Sequence, residues 1–144
     1  MARSPKVVDV KWEGGYRFTS ADAFGHTIQV DAPIEKGAPF TAFKPGELML
    51  TALAACTGID VVNILNKQRH EMTGMSVKAT GQQQEDPPWT YRAIHLEYTI
   101  SGREIDPDHV ERAIQLSEEK YCSIGSTLSG KAQITHSFQI VDSV

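Results

Sequence analysis

Pro45-Gly46-Glu47-Leu48-Met49-Leu50-Thr51-Ala52-Leu53-Ala54-Ala55-Cys56-Thr57-Gly58-Ile59-Asp60-Val61-Val62-Asn63-Ile64-Leu65 is apolar nearly all the way round a helix. No wet face appears until Asn66-Lys67-Gln68-Arg69. The pattern predicts a helix over residues 47–68, about 33 Å long at about 1.5 Å per residue. A helix apolar on every side must be buried on every side. One small sheet and one further helix cannot wrap such a rod, whereas a second copy of the chain can. An obligate homodimer with this helix in its interface is therefore expected. The same run must be tested as a membrane span. Asp60 lies inside it, at a cost of about 2.5 to 3.5 kcal/mol near the centre of a bilayer. A buried core helix fits better, and no membrane partner is expected.

Outward from this helix, the chain reads as alternating strands and turns. Residues 7–12 and 16–20 flank the tight turn Gly14-Gly15, and 26–31 form a further strand. Residues 32–44, with Pro33, Gly37 and Pro39, read as loop. Beyond the helix, strands are expected over 74–82 and 90–101, the latter with Ile94, Leu96, Tyr98 and Ile100 on one face. Asp106 is a good N-cap and Pro107 suits the first helical position. The second helix is expected to run on to about residue 121, amphipathic, with Val110, Ala113, Ile114 and Ser117 on one stripe. Residues 123–130 read as a connector and 132–141 as a last strand, with Ile134, His136, Phe138 and Ile140 alternating. No repeat or internal boundary interrupts residues 1–144, which read as a single domain.

Composition narrows the function classes. The 144 residues carry a net charge of −4, so there is no basic footprint and nucleic acid is not an expected partner. The opening residues hold no apolar stretch of signal-peptide type, and a cytoplasmic protein is expected. In that compartment a paired cysteine is more often transient and catalytic than structural. The two cysteines are Cys56, deep in the apolar run, and Cys122, in Glu118-Glu119-Lys120-Tyr121-Cys122-Ser123. There is no Cys-x-x-Cys and no glycine-rich phosphate loop after a strand. His26, His70, His95 and His109 have no metal-ligand spacing to either cysteine, so neither a metal nor a cofactor is expected. His136, on the apolar face of the last strand, reads as a hydrogen-bonded core or interface histidine.

Lys44-Pro45-Gly46-Glu47-Leu48 followed by Ala54-Ala55-Cys56 resembles the Pro-Glu-(Gln/Glu)-Leu…Ala-Cys signature of the OsmC/Ohr family. The second cysteine, 66 residues on and after an Asp-Pro-led helix, is similar too. Cys56-Thr57-Gly58-Ile59-Asp60 looks more like the YhfA-like branch than like Ohr proper. The resemblance implies an OsmC-like α+β fold: mainly antiparallel sheets, a long buried central helix, a second amphipathic helix, and an intertwined homodimer. It also implies a thiol peroxidase acting on organic hydroperoxides and recycled by a dithiol reductant. In that reading Cys56 is peroxidatic and Cys122 resolving, with Arg17 and Glu47 as candidates for the activating pair. Aligning the prolines and cysteines puts Gly46 where Ohr has its glutamate, with Glu47 one residue later.

The chemistry explains these residue types. The thiolate is the nucleophile, and a free cysteine with a pKa near 8.5 is only a few per cent ionised at neutral pH. A guanidinium beside the sulfur stabilises the thiolate and the leaving oxygen together. Cys56 is mid-helix and gains little from the helix N-terminus, so its cation must come from another segment, and Arg17 is the candidate. A second thiol then captures the sulfenic acid before further oxidation. Phe40 and Phe43 add apolar surroundings suited to an alkyl or lipid-like peroxide. The competing reading is a non-catalytic protein binding a small apolar ligand at the dimer interface, with both cysteines as packing. Gly46 at the family's glutamate position favours it. On that reading Arg17 is a solvated strand residue and Glu47 a favourable charge at the positive helix end.

Overall fold

The computed structural model describes residues 2–143. Its contacts cluster into two compact units, Met1–Met49 and Leu50–Val144.

The first unit is a three-stranded antiparallel sheet of β1 (Val8–Gly14), β2 (Arg17–Asp22) and β3 (Thr27–Val30), in that order. Gly14 and Gly15 take φ of 107° and 56°, the positive values that a tight hairpin needs and that glycine adopts without strain. Trp12 Nε1 donates to the Gly15 carbonyl at 2.8 Å and braces the turn. Asp31 organises the loop that follows. Its carboxylate accepts from the Ala32 amide at 2.8 Å, the Thr41 amide at 2.9 Å and the Thr41 hydroxyl at 3.2 Å. Register places Val10 opposite Ser20, Trp12 opposite Phe18, and Ser20 opposite Ile28. One face of this sheet thus carries Val8, Val10, Trp12, Phe18 and Ile28, all exposed.

The first helix, α1 (Pro45–Lys67), begins slightly earlier than its sequence pattern predicts. Proline at the first turn lacks only an N–H that would have had no partner there. The helix ends where Arg69 turns to φ 63° and the His70 amide bonds back to the Leu65 carbonyl at 3.1 Å. By length and composition it could cross a membrane. Within the single chain, however, Leu53, Thr57, Gly58, Val61 and Leu65 form a buried stripe, as in a core helix. The expectation of burial on every side is met along that stripe alone, and Ile59 stands 69% exposed.

The second unit holds β4 (Glu71–Gln83), β5 (Tyr91–Arg103) and β6 (Gln133–Asp142), in that order across the sheet. β4 and β5 are antiparallel, but β5 and β6 are parallel. A parallel pair needs a long crossover, which the segment from 104 to 132 supplies. β5 is the central strand, and its Ile94, Leu96, Tyr98 and Ile100 are buried as their alternation predicts. They share the core with Leu53, Val61 and Leu65 of α1 and with Val110, Ala113 and Ile114. α1 packs on β4 at Gly58, where a Cβ would make ordinary contact with Met75 Cε at 3.4 Å.

The crossover departs from the sequence reading. α2 (Pro107–Leu116) starts as expected, with Asp106 capping the Asp108 amide at 2.9 Å. It does not run on as an α-helix to 121. Residues Ser117–Tyr121 form a π turn, closed by the Cys122 amide on the Ser117 carbonyl at 2.8 Å. Tertiary contact accounts for the change, because the Ser117 hydroxyl is drawn to Asp60 of α1 at 2.8 Å. The expected connector over 123–130 contains a short helix, α3 (Ser123–Leu128).

Gly102 on β5 is a close-approach position. A Cβ there would stand 2.5 Å from the Glu71 carbonyl oxygen, which is backbone and cannot swing away. Gly102→Ala is expected to cost about 1–3 kcal/mol by overpacking, read as a lowered urea midpoint with unchanged slope.

Candidate functional site

The second unit brings Cys56 and Cys122 together. Both are free thiols, Cys56 half-buried on α1 and Cys122 buried with 3% exposure. Cys56 lies close enough to act on the Cys122 thiol. Burial, and then the neighbouring Cys56 side chain, push the Cys122 thiol up to about 11. One contact works the other way: the Gly125 amide donates to Cys122 Sγ at 3.2 Å. Cys122 is therefore a protonated thiol at neutral pH. Two neighbouring segments set its position. The π turn ends on its amide, and α3 begins with its sulfur as cap.

A cavity of about 150 Å³ lies beside it, lined by Leu53, Thr57, Glu118, Cys122, Gly125 and Ile134 among others. The Tyr98 hydroxyl is buried with no hydrogen-bond partner among the described residues. Thr57 lies close enough to act on it, and its own hydroxyl donates to the Ala54 carbonyl at 3.2 Å. Burial first, then the charges of Glu118, Cys122 and Asp60, raise the Tyr98 phenol to about 12. The phenol is thus a proton donor throughout the physiological range. Asp60 lies four residues after Cys56, on the same face of α1, and accepts from Ser117 at 2.8 Å. His136 of β6 bridges two carboxylates. Its Nδ1 lies 2.8 Å from Glu118 Oε1, and its Nε2 lies 3.0 Å from Glu111 Oε1.

The other sequence candidates, Arg17 and Glu47, belong to the first unit. Arg17 opens β2, exposed, and its charge helps hold Asp31 below the usual carboxylate range, after the larger effect of the Thr41 amide. Glu47 sits in the first turn of α1, and its carboxylate is 3.4 Å from Lys44 Nζ.

Comparison with known proteins places this geometry in a family. The OsmC-like protein family profile matches residues 36–137. The chain belongs to the OsmC-like family. Within it, Protein YhfA of Escherichia coli K12 is 38% identical over 132 residues, covering 92% of this chain and 96% of that one. A hypothetical protein from Aquifex aeolicus superposes with a TM-score of 0.84 at 27% identity, covering 99% of this chain and all of its own. An organic hydroperoxide resistance protein OsmC from Legionella pneumophila shares the fold, with a TM-score of 0.70 at 18% identity, covering 96% of this chain and 99% of its own. The OsmC-like fold thus matches the α+β fold of the chain that the sequence signature implied.

Sequence reasoning missed Thr57, Tyr98, Ser117 and Glu118 around the OsmC-like thiol pair. One signal was present: Asp60 is a lone charge in an apolar helix, one turn from Cys56, and a charge so placed needs a polar partner. His136 is the hydrogen-bonded, part-buried residue that its position predicted, 17% exposed at the side chain.

Proposed function

We propose that this OsmC-like protein is a thiol-dependent peroxidase that reduces organic hydroperoxides through Cys56 and Cys122. The observation that carries the reading is the pair of neighbouring free thiols, one of them buried and protonated. A thiol held protonated at neutral pH is a poor first nucleophile, which supports Cys56 for that role. The Cys56 thiolate attacks the distal peroxide oxygen, the O–O bond breaks, and the alkoxide leaves as an alcohol once protonated. The resulting sulfenic acid condenses with Cys122 to a disulfide and water, and an external dithiol restores both thiols.

Arg17 and Glu47 enter this proposal as the activating pair, on the family signature and the chemistry of a guanidinium beside a thiolate. Arg17→Met is expected to slow the first, thiol-consuming step. The test of the whole reading is intact-protein mass spectrometry after one equivalent of an alkyl hydroperoxide. The expected product is the wild-type chain less two hydrogens. An unchanged mass with excess hydroperoxide would sink it.

The proposal includes a cytoplasmic homodimer. The exposed apolar face of the first sheet and the exposed Ile59 side of α1 support it, because water-facing apolar patches of this extent mark interaction surfaces. Sedimentation at low micromolar concentration is expected to show a dimer. A well-folded monomer there would be the opposite result.

A further inference from the structure

We infer that Glu118 is the base that takes the Cys122 thiol proton during disulfide formation, held in place by His136, which links it to Glu111. The inference rests on the peroxidase reading for its substrate, but the residues that carry it lie around Cys122 itself. Glu118 and Cys122 line one cavity of about 150 Å³, large enough to hold a water. A base acts through a direct hydrogen bond or through one water.

Glu118 is not a free surface charge. Its Oε1 is fixed by His136 Nδ1 at 2.8 Å. The same ring reaches Glu111 through Nε2, at 3.0 and 3.2 Å from its two oxygens. Both ring nitrogens face carboxylate oxygens, which accept hydrogen bonds and cannot donate when ionised. The His136 side chain is 17% exposed and that of Glu111 40%, so the chain runs from the cavity outward to water.

The resolving step needs such a path. Cys122 arrives with its proton on. The groups around it from every packed element are Cys56 and Asp60 of α1, Tyr98 of β5, Glu118 of the π turn and His136 of β6. Cys56 is the electrophile once oxidised, and the Tyr98 phenol is a donor. Asp60 acts on Cys122 through its charge, with its carboxylate already engaged by Ser117. Glu118 is the carboxylate on the cavity wall beside the thiol. In the step, the Cys122 proton passes to Glu118 as its sulfur attacks Cys56. The S–S bond forms and the sulfenic S–O bond breaks. The departing hydroxide takes the proton that Glu118 received and leaves as water. Cys122 sulfur is oxidised and Cys56 sulfur reduced from the sulfenic to the disulfide level, so the step balances.

The experiment is rapid-mix oxidation of the full-length protein, with the adduct on Cys56 and the disulfide quantified separately by mass spectrometry across pH 6–9. Two oxidants are used. One is an alkyl hydroperoxide. The other is diamide, which forms a sulfenylhydrazide on Cys56 that Cys122 displaces as the reduced hydrazide. In the wild type the second step is expected to be nearly flat with pH. In Glu118→Gln it is expected to fall on the order of 10²-fold near neutrality and to climb about tenfold per pH unit as free thiolate replaces the base. Glu118→Asp, a carboxylate on a shorter arm, should recover part of the rate. His136→Gln should lose less than Glu118→Gln, and the exposed Glu119→Gln should lose nothing.

Two results would overturn the assignment: a wild-type second step that itself climbs tenfold per pH unit, which needs no variant to fold, or a loss that follows Asp60→Asn instead of Glu118→Gln. If hydroperoxide leaves the wild type unmodified while diamide gives a Glu118-dependent second step, the peroxidase reading falls and the base stands. If both oxidants react and Glu118→Gln resolves at the wild-type rate, the base falls and the peroxidase stands.

Discussion

Cys56→Ser is expected to abolish hydroperoxide consumption, whereas Cys122→Ser is expected to consume about one equivalent per subunit and then stall. The asymmetry follows from the two environments. The Cys122 thiol is buried beside Cys56 and held protonated, so it cannot replace the first nucleophile. With serine at 122, the sulfenic acid on Cys56 has no thiol to condense with, because the chain has two cysteines in all. It should over-oxidise, and intact mass would show added oxygen in place of the loss of two hydrogens. Equal consumption by Cys56→Ser and the wild type would reverse the roles assigned here. The outcome also bears on the geometry of resolution. A disulfide requires Cα atoms about 4.4–6.8 Å apart. Closure is expected to come from a shift of the segment that carries Cys122.

Stability is expected to fall steeply above about pH 9, and the same buried cluster explains why. Cys122 is raised from 9.0 to about 11, first by burial and then by Cys56. Tyr98 is raised from 10.0 to about 12, first by burial and then by nearby charges. Both are acids that are neutral when protonated. Below the unfolded values both states hold the protons, and pH has no effect through these groups. As pH rises past the unfolded values, the unfolded chain releases protons that the folded chain keeps, so the unfolded state gains. A difference of one proton is worth about 1.4 kcal/mol per pH unit at the steepest. Thermal melts from pH 8 to 11 should show the decline. Tyr98→Phe should flatten it, and at neutral pH it should cost little or even stabilise, because the hydroxyl it removes has no hydrogen-bond partner among the described residues. A Tyr98→Phe protein that melts with the wild-type pH dependence would contradict this account. Cys122→Ser should flatten the decline as well, partly by removing a charge that acts on Tyr98.

Local chemistry decided much of the fold. Alternation at Ile94, Leu96, Tyr98 and Ile100 determined the central strand, because a sheet buries every second residue on its covered face. Asp106 and Pro107 determined the start of α2 through a cap and an N–H that is not needed. The unbroken apolar run determined α1, and the signature around Cys56 determined the family. These are short-range features, complete within a few residues or a helical period.

Tertiary structure decided what the pattern could not hold. The helical periodicity of residues 107–121 contains nothing that marks a π turn. The turn exists because Ser117 reaches Asp60, 57 residues away in sequence. The parallel pairing of β6 on β5 depends on where the crossover lands, not on the composition of either strand. The chain sets Cys122 beside Cys56, and sets Glu118 on His136 and His136 on Glu111, by packing a helix, a turn and a strand that are distant in sequence. Sequence by itself determined most of the elements and the family. Which residues meet, and which protons they hold, was decided by burial and long-range hydrogen bonds that exist only once the core has closed.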